Sequence, residues 1–148
     1  MKLNLGCCDK LLPGYHNVDR VPPADEIVDL TEPWPWKDSS VFEIIAHDII
    51  EHLPNKIHTM NEMWRVMMAG AVARIVVPTT DGRGAWQDPT HVSYWNRNSF
   101  WYYEAGDLHR ERFGDHYGTR ARFRTRFENT RNEPNSIVLL EIHLEAVK

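Results

Sequence analysis

The sequence predicts a protein of the α/β class: one mostly parallel sheet of seven strands, ending in an antiparallel hairpin, with reduced N-terminal crossover helices. Three observations predict it. A strand, a helix and a strand follow one another between Phe42 and Val77, the order of a parallel crossover unit. Three short extended segments precede them, each running into a glycine or an aspartate. Two further extended segments flank Glu133-Pro134-Asn135, which has the composition of a hairpin turn. With 148 residues there is room for one hydrophobic core, so residues 1–148 are expected to form a single domain.

Taken in order, Lys2–Leu5 is an extended segment leading to Gly6. Asn17–Asp19 is the second, entered through the turn signal Pro13-Gly14. Ile27-Val28 is the third and stops at Asp29. Twelve residues between Gly6 and Asp19, and nine between Asp19 and Asp29, are too few for full helices. Phe42–Ala46 is apolar and partly β-branched, as a buried parallel strand should be. Pro54-Asn55 opens a helix on which Ile57, Met60, Met63, Trp64 and Met67 share a face, and Gly70 stands where a C-terminal cap belongs. Ala73–Val77 is the next strand, stopped by Pro78. Thr79–Asn98 is long, polar and aromatic without periodicity, which predicts a functional loop rather than a plain connector. Ser99–Leu108 is expected to be a short helix. In Arg120–Glu128, Ala121, Phe123, Thr125 and Phe127 alternate with arginines, the pattern of a half-exposed strand. Ile137–Val147 is its partner in the hairpin.

Composition excludes several classes. The net charge of -4 argues against binding nucleic acid through bulk charge. No apolar run approaches the ~20 residues of a membrane span. Asn4 and Gly6 interrupt any apolar signal region at the N-terminus. Cys7 and Cys8 make neither a disulfide framework nor, by themselves, a zinc site. The expectation is a reduced, cytoplasmic protein. Of 16 aromatic residues, seven lie between Trp86 and Tyr103, a clustering that core filling alone does not explain.

Gly6, Asp19, Asp29 and Asp48 fall at the ends of the first four strands. Ligands of open α/β sheets bind outside the carboxyl ends of the strands, where strand order reverses. A glycine there admits close backbone approach, and a carboxylate can accept both hydroxyls of a ribose. The motifs around these residues resemble those of class I, Rossmann-like S-adenosylmethionine-dependent methyltransferases. Leu3-Asn4-Leu5-Gly6-Cys7-Cys8 resembles their first motif, and Phe42 to Pro54 their fourth strand and the turn after it. Asn61–Gly70 and Ile75–Pro78 resemble the following helix and fifth strand. The resemblance implies that Gly6 and Cys7 pack on the methionine part of the cofactor, Asp19 binds its ribose, Asp29 and Leu30 border its adenine, and His47 or Asp48 closes the site. This chain departs from the family at Cys8, where a second glycine is usual. A nicotinamide site is disfavoured, because it requires a G-x-G-x-x-G run that is absent here.

On this resemblance the reaction is methyl transfer from S-adenosylmethionine to a small molecule or a sugar, at a hydroxyl or an amine. Asp88-Pro89-Thr90-His91 sits in the aromatic loop at the substrate edge. His91 is the candidate general base with Asp88 to orient it, against the plainer reading of a turn capped by Asp88. Trp86, Tyr94, Trp95 and Trp101 are candidate walls for the acceptor or for the sulfonium. Asp48, Glu51, His52 and the distant His91 have the donor types of a divalent-ion site and resemble metal-dependent O-methyltransferases. Glu-His-Leu also occurs in members of the family without metal, so no metal is expected. The arginine row is read as the wet face of a strand. Apolar surface left bare by the missing helices is to be covered by these aromatics or by a second copy of the chain in a homo-oligomer. The rival reading is a binding or regulatory protein that keeps the fold without turnover.

Overall fold

The strands form where short apolar or β-branched segments can pair, and they are β1 (Lys2–Leu5), β2 (His16–Asp19), β3 (Glu26–Ile27), β4 (Val41–His47), β5 (Met67–Pro78), β6 (Phe123–Glu133) and β7 (Ile137–Ala146). A computed structural model describes residues 1–148. All seven strands join one sheet in the order β3-β2-β1-β4-β5-β7-β6. The first five are parallel, and β7 runs antiparallel between β5 and β6. This is the predicted α/β domain with its terminal hairpin. Strand order reverses between β1 and β4, so a crevice opens at their carboxyl ends.

The first two connections carry no helix, as the short spacings require, and the third carries none either. The third, Val28–Ser40, instead inserts Trp34 and Trp36, which are buried and meet edge-to-face at 5.7 Å. Helix α1 (Lys56–Val66) holds this connection in place. Its Glu62 accepts the Trp34 N–H at 2.8 Å, and its Arg65 donates to the carbonyls of Trp34 and Trp36 at 2.9 Å. Glu62 and Arg65 pair at 2.7 Å, and Arg65 also reaches Asp38 at 2.6 Å. The side chains of α1 thus do for an irregular segment what a helix does for itself: they satisfy its backbone.

The structure corrects several of the expected elements. Helix α1 starts at the expected Asn55 cap but ends at Val66, not near Gly70. Met67 already pairs with Val41 in the sheet, and Gly70 takes its left-handed conformation (φ +77) in the irregular stretch between that pair and the next, Glu43 with Val72. Met60 and Met63 fill the core from the helix, whereas Met67 fills it from the strand. The segment expected as a helix from Ser99 is a 3₁₀ stretch, Arg97–Tyr103. A short helix, α2 (Gly84–Gln87), interrupts the long loop, and α3 (Leu108–Tyr117) follows the 3₁₀ stretch. Strand β6 begins at Phe123 and continues to Glu133, with a bulge between Thr125 and Phe127. The bulge puts Phe127 out of the buried register, and its ring lies on His143 instead. No helix is long and apolar enough to cross a membrane.

Candidate active site at the strand ends

The carboxyl ends of β1 to β4 surround one cavity of about 340 Å³. Gly6 forms its floor with φ +64, and a Cβ there would stand 2.6 Å from the side chain of Ile49. A glycine is therefore required twice, by its left-handed backbone and by the approach of the β4 turn. Asp48 begins that turn, also with positive φ (+51), and lines the cavity. Asp19 is oriented by two backbone donors, Cys8 N–H at 2.8 Å and Arg20 N–H at 2.7 Å. Each of its oxygens keeps a lone pair for a ligand. Asp29 accepts the N–H and hydroxyl of Thr31 on one oxygen, at 2.9 and 2.7 Å, and its other oxygen makes no bond within the protein. These bonds to Thr31 hold its carboxyl below the ordinary range. Val28, Leu30 and Leu53 supply apolar wall.

Five of the expected cofactor residues, Gly6, Asp19, Asp29, Leu30 and Asp48, line this one cavity. Cys7 and His47 do not. Cys7 is buried beneath the turn, its N–H bonded to Val18 O at 3.1 Å, and burial with the nearby Asp19 charge pushes its thiol up. Cys8, with φ +46, takes the place on the cavity wall. His47 faces a second opening on the other side of Asp48, shared with Arg131 and Glu141. Strand alternation explains His47, the last residue of β4 and one step before Asp48, whereas at Cys7 the positive φ of Gly6 and Cys8 turns the chain out of the extended alternation. Arg20, Ile49 and Thr90 also line the cavity, and the sequence reading missed them. Arg20 and Ile49 directly follow strand-end aspartates, a signal that was available.

The loop after β5 is docked onto the turn Ile50–His52. Val92 and Ser93 N–H donate to Glu51 O at 2.9 and 3.0 Å, and the Ser93 hydroxyl donates to Ile50 O at 2.9 Å. This places His91 against His52, their rings edge-to-face at 4.8 Å. His91 Nδ1 lies 3.1 Å from Ala85 O, and His52 Nδ1 lies 3.2 Å from Thr90 O. A carbonyl only accepts, so Nδ1 carries the proton in both rings, and in the neutral imidazole Nε2 is the atom with the lone pair. Asp88 is not within hydrogen-bond range of His91, at 3.8 Å. It caps its own turn through Thr90 N–H (2.8 Å) and the Thr90 hydroxyl (2.6 Å). That same hydroxyl lies 3.1 Å from His52 Nδ1, so Asp88 connects to His52 through Thr90 and not directly to His91. Glu51, only 2% exposed, lies beside this pair, and burial, reinforced by the charges of Asp48 and Asp88, pushes its carboxyl up to about 8. Glu51, His52, Asp88 and His91 open onto a cleft that also receives Asp48 and Arg131.

The aromatic wall is elsewhere. Trp95 is fully buried, stacks on Phe100 at 5.2 Å and carries Lys56 Nζ 4.6 Å from its ring centre. Its cation is thus an internal lysine. Trp86 is exposed and stacks on Tyr94 at 4.6 Å, and Trp101 stacks on His109. None of the four lines the cavity or its cleft. His91 does face the cleft, and so does Arg131 of the hairpin. Arg122, Arg124 and Arg126 pair with Glu111 or Glu145, as a wet strand face should.

Comparison with known proteins bears on the fold. No family model matches the sequence, and no curated protein aligns with it significantly. Solved structures match it closely in shape. A SAM-dependent methyltransferase from Methanosarcina mazei superposes with a TM-score of 0.66 at 11% identity, over 99% of this chain and 92% of that one. A 1,6-didemethyltoxoflavin-N1-methyltransferase from Burkholderia thailandensis, solved with S-adenosylhomocysteine, gives a TM-score of 0.68 at 10% identity, covering 99% and 71%. The cyclase SpnF gives 0.66 at 8% identity, covering 99% and 74%. The chain has the class I, Rossmann-like fold of the SAM-dependent methyltransferases.

Proposed function

We propose that this chain binds S-adenosylmethionine at the cavity floored by Gly6 and transfers its methyl group to a small acceptor. One observation carries the reading: Asp19 and Asp29, preoriented and with free acceptor capacity, share a cavity with Gly6 at the switch point of the sheet. The volume suits a small-molecule site, about 300–1,000 Å³ being usual. Asp19 would hold the ribose hydroxyls, Asp29 and Leu30 the adenine, and Gly6 with Cys8 the methionine portion. The cofactor supplies a methyl group already activated by a positive sulfur. The protein's share is then to align the acceptor and exclude water. Asp48 stands between cavity and cleft, where an acceptor bound in the cleft meets the cofactor side. His91 Nε2, with its lone pair on that cleft, takes the proton of a hydroxyl or amine acceptor.

The reading is tested by calorimetry with S-adenosylhomocysteine. Binding to the wild type and a loss of about 1–3 kcal/mol in Asp19→Ala are expected, since that change leaves ribose hydroxyls unpaired. Equal binding by both proteins rejects the site. A second reading, cofactor binding without turnover, is favoured by the helix-free connections around the cavity. It predicts the same binding and no methyl transfer to any acceptor.

A further inference from the structure

We propose that Glu51, His52 and His91 form a binding site for a divalent transition-metal ion. The sequence reading assigned none here, and the three-dimensional arrangement is what changes it. One ligand atom from each of the three lies within 4.8 Å of the other two, close enough for a single ion to bridge them. Chain connectivity does not force this meeting. Glu51 and His52 come from the turn after β4, and His91 is brought over from the loop after β5 by the bonds of Val92 and Ser93 to Glu51 O.

Two independent features distinguish the cluster from a chance grouping of polar side chains. The first is Glu51. It is 2% exposed, and its Oε2 is buried without any hydrogen-bond partner. A buried carboxylate oxygen left bare is costly, and a cation is the partner that removes the cost most directly. No lysine or arginine pairs with it, while the carboxylates of Asp48 and Asp88 stand close enough to add negative charge. The second is the pair of imidazoles. Metal-bound histidines characteristically donate the other ring N–H to a backbone carbonyl or carboxylate. Both do so here, His91 to Ala85 O and His52 to Thr90 O, with the Thr90 hydroxyl linking His52 onward to Asp88. Each ring is thereby oriented so that, in its neutral form, Nε2 is the donor atom offered to an ion.

Two imidazoles and one carboxylate favour zinc, cobalt, nickel or iron over magnesium and calcium, which select oxygen ligands. Three protein ligands leave at least one coordination position open. The shared cleft, with Asp48 and Arg131 on its rim, gives the ion and an oxygen ligand access to that position. The inference stands on the donors alone and does not depend on methyl transfer; an ion on His91 Nε2 occupies the lone pair that the base role uses, so in the ion-bound chain His91 is a ligand and not a base.

The test uses the full chain, stripped with a chelator and titrated with Co²⁺, Zn²⁺ and Mg²⁺ by calorimetry. One Co²⁺ or Zn²⁺ per chain is expected, with Mg²⁺ at least about tenfold weaker. Glu51→Gln and His91→Ala should each weaken Co²⁺ binding at least about tenfold. Circular dichroism of each stripped variant establishes that it is folded. A crystal grown with Zn²⁺ provides the check that needs no variant: an anomalous peak within about 2.0–2.2 Å of both histidine nitrogens and a Glu51 oxygen is expected. Absence of stoichiometric binding, binding indifferent to both substitutions, or a peak elsewhere overturns the site.

Discussion

At Gly6 two constraints act on one residue: φ is +64, and the Ile49 side chain occupies the position a Cβ would take. Gly6→Ala should destabilise the protein by about 1–3 kcal/mol in urea unfolding, from left-handed strain plus overpacking. Adding Ile49→Ala should recover the steric part and leave the backbone part, so the double-mutant cycle should show coupling. If the two changes are simply additive, the contact does not govern this turn. The neighbouring carboxylates were legible in the sequence because they stand at strand ends: Asp19 closes β2, Asp48 directly follows β4, and Asp29 lies two residues beyond β3. Cys7 and Cys8 were not legible. The positive φ of Gly6 and of Cys8 breaks the alternation that assigns faces, so which thiol meets the cavity is decided in three dimensions. His91 was legible as a cleft residue, while its orienting partner was not. Asp88 has a nearer donor in Thr90, and that competition wins. His91→Ala should slow methyl transfer and leave S-adenosylhomocysteine affinity nearly unchanged; a parallel loss of affinity in calorimetry would instead place His91 in the cofactor cavity.

Among the elements, the pair Glu62 and Arg65 on α1 carries the most consequence for stability, because it replaces a missing crossover helix. Glu62→Gln removes the charge from a largely buried ion pair that also satisfies the backbone around Trp34, and should cost about 2–4 kcal/mol. Hydrogen bonding from Arg65 first, then from the Trp34 amide, holds the Glu62 carboxyl below its ordinary 4.5. The unfolded chain therefore takes up this proton at higher pH than the folded chain. The stabilisation is complete above about pH 5 and is lost as pH falls through the folded-state pKa. Urea unfolding of wild type and Glu62→Gln should thus differ at pH 7 and converge in acid; a constant difference across that range would contradict it. At this scale the strands were readable from apolar runs and the hairpin from its turn. Helix α3 was not, because its residues are mostly polar and show no apolar stripe. Its signal was in the caps, Asp107 accepting from His109 N–H and Gly118 in the left-handed conformation. The end of α1 was misplaced because Met67 fits the helical stripe equally well, and pairing with Val41 outweighed it.

For the molecule as a whole, sheet order makes the site. Placing β4 beside β1 brings Gly6 and Asp48 to one crevice, and the short parallel strands β2 and β3 add Asp19 and Asp29 to the same rim. The connections that form this rim carry no helix. Trp34 and Trp36 cover part of the apolar sheet beneath, and Trp95 fills the core. The aromatic excess in the sequence therefore serves packing more than acceptor recognition, a distinction that composition cannot draw. The most direct test of the central claim is a crystal structure grown with S-adenosylhomocysteine. The account predicts the ribose hydroxyls on Asp19, the adenine beside Asp29 and Leu30, and the sulfur directed past Asp48 toward the His91 cleft. A ligand bound away from Gly6, or a ribose that makes no contact with Asp19, contradicts it.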